Sequence, residues 1–328
     1  MKRTISLFLL MVFVLSACGE TPTSAEATEL PGPQVDFQEA TLTAQPSPTP
    51  FTLQLTDALG RNVTIAEPPQ RVISLSPFLT SSIFASGLDS LLVGRDSFSL
   101  YPEEAEALPS LGDKFADFDT VQFQSFNADL VLADVTYPFE SIMAIESLGI
   151  PVFIFPIATS LDEVYSNISL IGILTDNEAK TDASIQELDL RASAVQLSLE
   201  AVESQPYIFY ELEASDPTAP WTYGAGTILD EMFQFAGAQN AAFSLSGTWV
   251  QLPLVDLQSV DPAVILLADA AYGVSAETLA TRPGWGSLTA VAQGQVLAFD
   301  ETIISQPGPR IVDAIEELAT LLHPDLYP

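Results

Sequence analysis

The chain has 328 residues, 48% of them hydrophobic and only 16% charged, which is apolar material for about two domains with sizeable cores. Against 43 Asp and Glu stand 10 Lys and Arg, and the resulting formal charge of −33 repels phosphate backbones and excludes a nucleic-acid partner. One cysteine and one histidine exclude disulfide frameworks, His- or Cys-based metal cages, and the common Ser/His and Cys/His catalytic sets.

In chain order, Lys2 and Arg3 precede an apolar run from Ile5 to Leu15, followed by Leu15-Ser-Ala-Cys18. The run is too short to span a bilayer and reads as a secretory signal over residues 1–17. Its ending resembles the lipobox of bacterial lipoproteins, which implies lipidation at Cys18 and an anchor on the extracytoplasmic face of the membrane. Residues 18–50 are rich in Thr, Pro, Ser and Ala and end Gln45-Pro-Ser-Pro-Thr-Pro50. With no periodic apolar positions, this stretch reads as a disordered tether with a reach of roughly 30 Å.

From Phe51 onward, strand-like and helix-like segments alternate. Arg71–Leu75, Asp129–Ala133 and Pro151–Phe155 are apolar runs suited to buried parallel strands, with helices over Thr80–Gly87 and Phe139–Leu148 between them. The pattern repeats with a strand at Tyr207–Tyr210, a helix over Thr227–Ala236, strands at Ala263–Ala268 and Gln295–Phe299, and a last helix over Arg310–Leu322. Residues 177–204 lack Gly and Pro and carry apolar residues at helical spacing, with Asp176 as the expected N-cap. The fold class that follows is α/β: two Rossmann-like lobes with mainly parallel sheets, over 51–176 and 205–328, bridged by a single long helix over 177–204.

Asp57-Ala-Leu-Gly-Arg-Asn-Val-Thr-Ile65, Pro68-Pro-Gln-Arg-Val-Ile-Ser-Leu-Ser-Pro77 and Gly87-Leu-Asp-Ser-Leu-Leu-Val-Gly94 come in an order that resembles class III substrate-binding proteins of ABC importers. The likeness continues through Asn127–Leu132, Ser147–Pro151, Trp221–Asp230, Ala236–Asn240, Asp261–Leu266 and Gly308-Pro-Arg310. Those proteins bind cobalamin, ferric siderophores or haem between two lobes and hand the ligand to a permease. The resemblance implies no enzyme activity, no resident cofactor or metal, a monomer, and a metal complex as ligand.

Ligands of open α/β sheets sit beyond the carboxyl ends of the strands. Phe78, after the strand at Arg71–Leu75, is expected to offer an apolar face there. By resemblance, Tyr101 lies on the same wall and Trp221, Tyr223 and Trp249 on the opposite one, where rings suit a planar ligand. The cations Arg61, Arg71, Arg95, Lys114, Lys180, Arg191, Arg282 and Arg310 are scattered, and only Arg95 is expected to reach the cleft. That disfavours polyanionic catecholates and favours a corrinoid or a neutral hydroxamate chelate, with haem fitting less well.

The family also docks to its permease through one Glu on each lobe. Those places correspond here to Ser81 and Val255, with Asp89 and Asp256 as substitutes. Two rivals stand beside transport: a tethered ligand-binding or sensing lipoprotein with no transport partner, and a hydrolase reusing the cleft.

Overall fold

The computed structural model describes residues 51–113, 119–202 and 204–327. The signal segment, Cys18, the tether and Lys114 lie outside the described residues.

Strands β1 (Leu53–Thr56) and β2 (Asn62–Ile65) form an antiparallel hairpin. Its turn is closed by Asp57, whose carboxylate accepts from the backbone N–H of Leu59 and Arg61 and pairs with the Arg61 guanidinium. The chain then lays down β3 (Val72–Ser74), α1 (Pro77–Ala85), β4 (Leu92–Arg95), α2 (Thr120–Ser125), β5 (Leu130–Asp134), α3 (Phe139–Ser147) and β6 (Val152–Phe155). The four strands after the hairpin pair in parallel in the order β4-β3-β5-β6. Alternation along each strand sends Leu130 and Leu132 to a core shared with α1, while Val131 and Ala133 join Phe123 of α2 and Ile142 of α3 on the other face.

Next come α4 (Leu161–Thr175) and α5 (Glu178–Leu199). The second half then runs β7 (Tyr207–Glu211), β8 (Trp221–Thr222), α6 (Ile228–Phe235), β9 (Gln239–Asn240), β10 (Val250–Gln251), α7 (Leu254–Val260) and β11 (Val264–Leu267). It closes with α8 (Ala276–Thr281), α9 (Thr289–Ala292), β12 (Val296–Ala298), α10 (Thr302–Ser305) and α11 (Arg310–Leu322). The second parallel sheet has the order β12-β11-β7-β9, and β8 pairs with β10 as a separate antiparallel ribbon. Both parallel sheets and the α/β class are as the sequence predicts.

The bridge differs from the expectation of a single helix over 177–204. Leu161, Val164 and Ile168 of α4 lie in the core of the second half, whereas Ile171 and Leu174 of the same helix lie in the core of the first. Helix α5 then returns, placing Leu188, Ala192 and Val195 in the second core. Two consecutive helices therefore cross between the halves. Asp176 does not cap α5: it adopts the left-handed conformation at the end of α4, φ 56°, and Asn177 takes the N-cap position. Helix α5 ends at Leu199 and has 22 residues, about 33 Å at 1.5 Å per residue.

An internal repeat emerges once the halves are compared. With β3, β4, β5 and β6 matched to β7, β9, β11 and β12, the two sheets have one strand order. Val121-Gln-Phe-Gln-Ser-Phe-Asn127 then matches Val255-Asp-Leu-Gln-Ser-Val-Asp261. Phe123 and Leu257 are both buried, and Asn127 and Asp261 both end their helices in the left-handed region, φ 47° and 50°. Val121 and Val255 are the second residues of α2 and α7 and are 74% and 69% exposed.

Candidate functional site

Two cavities open where the halves meet, and both are built from chain leaving the carboxyl ends of strands. The first, ≈ 440 Å³, is lined by Thr136 after β5, Ile157 to Thr159 after β6, Tyr223 after β8, and Gly226 to Ile228 entering α6. Thr248, Trp249, Ile304 and Ser305 complete it. Among the described residues none that lines it is charged; rings and aliphatic groups form its walls, and five hydroxyls from Thr and Ser supply polar points. The second cavity, ≈ 290 Å³, is lined by Pro77 and Ser81 of α1, Phe98, Leu100 and Tyr101 after β4, and Asp300, Thr302, Ile303, Gln306, Gly308 and Arg310 after β12.

Between them the halves touch. Ser76 donates its hydroxyl to Gln306 Oε1 at 2.7 Å. Gly308 lies so close to α1 that a Cβ on it would stand 3.2 Å from both Ser81 Oγ and Phe78 Cβ. Nearby, the Arg310 guanidinium stacks over the Tyr101 ring at 4.4 Å, and the Tyr101 hydroxyl reaches Asp313 Oδ2 at 3.4 Å. Burial pushes the Tyr101 hydroxyl up, and the Asp313 charge adds to that.

Of the six residues expected to meet ligand, three line these cavities: Tyr101 in the smaller one, Tyr223 and Trp249 in the larger. Trp249 is 65% exposed, whereas Tyr223 is buried and edge-on to Tyr210 at 5.7 Å. Burial raises the pKa of Tyr223, and a hydrogen bond with the Trp249 side chain acts against it.

The other three are placed elsewhere. Pro77 takes the first turn of α1, its fixed φ suiting a helix start, and the helix turns Phe78 into the core edge-on to Phe155. Arg95 is also buried. Its guanidinium is spent on the carbonyls of Ala105 and Asp96, at 2.8 and 2.9 Å, and does not reach the cleft. Trp221 lies half-buried in β8, paired with Gln251, and lines neither cavity. The cation that does reach the cleft is Arg310, expected only to start the last helix. Its signal was the Gly308-Pro-Arg310 sequence, which presses the start of α11 against α1.

Ser81 is buried at the seam between the halves, its hydroxyl donating to Phe78 O at 3.0 Å, so it is no exterior docking point. Asp89 is exposed but borders a further ≈ 480 Å³ cavity shared with Arg191 and Asp313. Val255 and Asp256 are exposed on α7, and the internal repeat marks Val121, not Ser81, as the counterpart of Val255.

Buried charge gathers near other strand ends. Glu211, at the end of β7, is fully buried and receives the Arg282 guanidinium at 2.7 and 2.8 Å. Burial pushes its carboxyl up to about 7 although Arg282 opposes the shift. Asp96, after β4, is also raised by burial and accepts from both the backbone N–H and the hydroxyl of Ser99. The one histidine, His323, ends α11 against Gly237 O and lines neither cavity. Among the described residues, no group of three or more His, Cys, Asp or Glu is arranged to hold a metal, and no helix is long and apolar enough to cross a membrane.

A family model described as periplasmic binding protein matches residues 72–302, which takes in both sheets and the bridge. The chain belongs to this family of periplasmic binding proteins. It is 30% identical over 280 residues to the ABC transporter substrate-binding lipoprotein YvrC of Bacillus subtilis, covering 84% of this chain and 87% of that one. A cobalamin-binding protein of Halobacterium salinarum is 27% identical over 321 residues, 96% and 84% of the two chains. Among solved structures, the periplasmic heme-binding protein RhuT of Roseiflexus sp. RS-1 shares the fold with a TM-score of 0.67, at 24% identity, over 78% of this chain and 99% of that one. The family and these relatives are named as binding proteins, and this periplasmic binding protein is not an enzyme.

Proposed function

We propose that the protein is a lipid-anchored receptor outside the cell membrane that captures an uncharged or cationic metal complex, a corrinoid or a ferric hydroxamate, and passes it to an ABC permease. The observation that carries this reading is the ≈ 440 Å³ cavity, free of charged side chains among the described residues and walled by Tyr223 and Trp249. A relative named for cobalamin binding supports the corrinoid. The relative named a substrate-binding lipoprotein supports an anchor at Cys18. The ligand brings its own metal, so no resident cofactor is invoked. In this reading α2 and α7 face the permease with Val121, Val255 and Asp256, one matched surface from each half.

The test is the visible spectrum of purified protein titrated with cyanocobalamin, a ferric hydroxamate and haemin. Saturable shifts with the first or second support the reading. Binding of haemin alone, or of none, rejects it. Cys18→Ser is expected to release the protein from the membrane fraction, and unchanged membrane association in that variant removes the anchor.

A further inference from the structure

Among the described residues, Asp300 and Arg310 are the only charged ones lining the ≈ 440 and ≈ 290 Å³ cavities. Arg310 Nη1 lies 2.7 Å from Asp300 Oδ2 and donates to Thr302 Oγ1 at 3.1 Å, while its plane is covered by the Tyr101 ring. The guanidinium side chain is 23% exposed and the carboxylate 46%, so an incoming ligand meets the negative member of the pair first. Asp300 stays ionised: although burial opposes it, hydrogen bonds from Thr302 and Arg310 hold its carboxyl below the usual range. A free arginine in such a place would take a carboxylate in bidentate fashion. Here that capacity is already occupied from within the chain, and Glu301 beside it adds a further exposed acid.

We propose that Asp300 is a charge filter: by occupying Arg310 it withholds that guanidinium from the cleft and turns away carboxylate-bearing ligands in favour of uncharged or cationic ones of the same shape. The proposal rests on the cleft being the ligand site. It assigns selectivity to repulsion, because an anionic ligand has to displace a carboxylate before it can use the Arg310 guanidinium. Asp300 is therefore a specificity residue that can be inverted by one substitution.

The matched probes are protoporphyrin IX, with two carboxylates, and its dimethyl ester, the same ring without them. Titrations followed by Soret absorbance give the ratio of their dissociation constants for the wild type, Asp300→Asn and Arg310→Gln. The wild type is expected to prefer the ester. Asp300→Asn should move the ratio about tenfold toward the diacid, and Arg310→Gln about tenfold away from it. The second variant keeps Asp300 and carries the test by itself if the first does not fold. Binding with a ratio that neither variant moves overturns the filter alone. Failure of all three proteins to bind either porphyrin overturns the cleft as a site for planar ligands, and the filter with it.

Discussion

The end of β7 buries Glu211 and answers it with Arg282, a side chain 71 residues further along the chain. The first half buries Asp96, after β4, and Asp134, at the end of β5, and answers them with hydroxyls close by, Ser99 three residues on and Thr136 two residues on. One topology thus settles buried carboxylates in two ways. In the first half the solution is local and forms with the loop itself. For Glu211 in the second it is a tertiary bond that exists only when α8 and its flanking chain are docked. The second half should therefore depend on a single contact, and on pH, in a way the first does not.

Removing that contact gives the largest expected effect. Arg282→Met leaves the buried Glu211 carboxylate with only the acidic Asp269 beside it and should cost about 3–5 kcal/mol at pH 8 in urea denaturation. Because the folded-state pKa of Glu211 lies above its unfolded value, its stabilising effect is complete in acid and is lost as pH rises through about 7. The penalty of Arg282→Met should accordingly shrink toward pH 5, and a penalty independent of pH would show that Glu211 does not titrate there. Ser99→Ala, the parallel cut in the first half, should cost about 1–3 kcal/mol.

The aromatic residues sharpen the comparison from another side. Phe78→Ala should destabilise the apo-protein by about 3–5 kcal/mol, as a core truncation does. Trp249→Ala should leave apo stability within about 0.5 kcal/mol while weakening ligand binding by about 1–3 kcal/mol. A large loss of melting temperature in the Trp249 variant would place that ring in the core instead. At the small end, Ser81→Glu forces a charge into the seam against Gly308 and should cost about 2 kcal/mol or more. Val121→Glu and Val255→Glu, on exposed helix faces, should each stay within about 0.5 kcal/mol in thermal melts. Equal tolerance at all three positions would contradict the buried place of Ser81.

Strands β3, β5, β6, β7, β11 and β12 were legible because each is an apolar run bounded by turn residues. The ribbon β8–β10 was not, since two-residue strands carry no period. Helix α4 did leave a signal: Ser160 caps it, and Leu161, Val164, Ile168, Ile171 and Leu174 follow at helical spacing. Reading α5 alone as the bridge overlooked it. In the site, Tyr101, Tyr223 and Trp249 were expected from the family resemblance, and each lines a cavity. Phe78 and Arg95 could not, because their directions depend on where a helix begins and on carbonyls ten residues away. The Asp300–Arg310 pair follows from neither composition nor period, since it needs α10 and α11 folded against each other.

The paired helices α4 and α5 carry one last consequence. Helix α4 anchors side chains in both cores, and α5 anchors in the second while Lys180 donates to Gly87 O of the first, so the halves cannot swing apart about a single flexible strand of chain. Any widening of the cleft has to bend both rods or pull Leu161 and Leu188 out of packed surroundings. A guest entering such a preorganised slot does not have to drive a large closure, and little of its binding energy is lost to ordering the host. By the same stiffness, a seated guest is not released by a spontaneous wide opening, and letting it go quickly takes work delivered from outside.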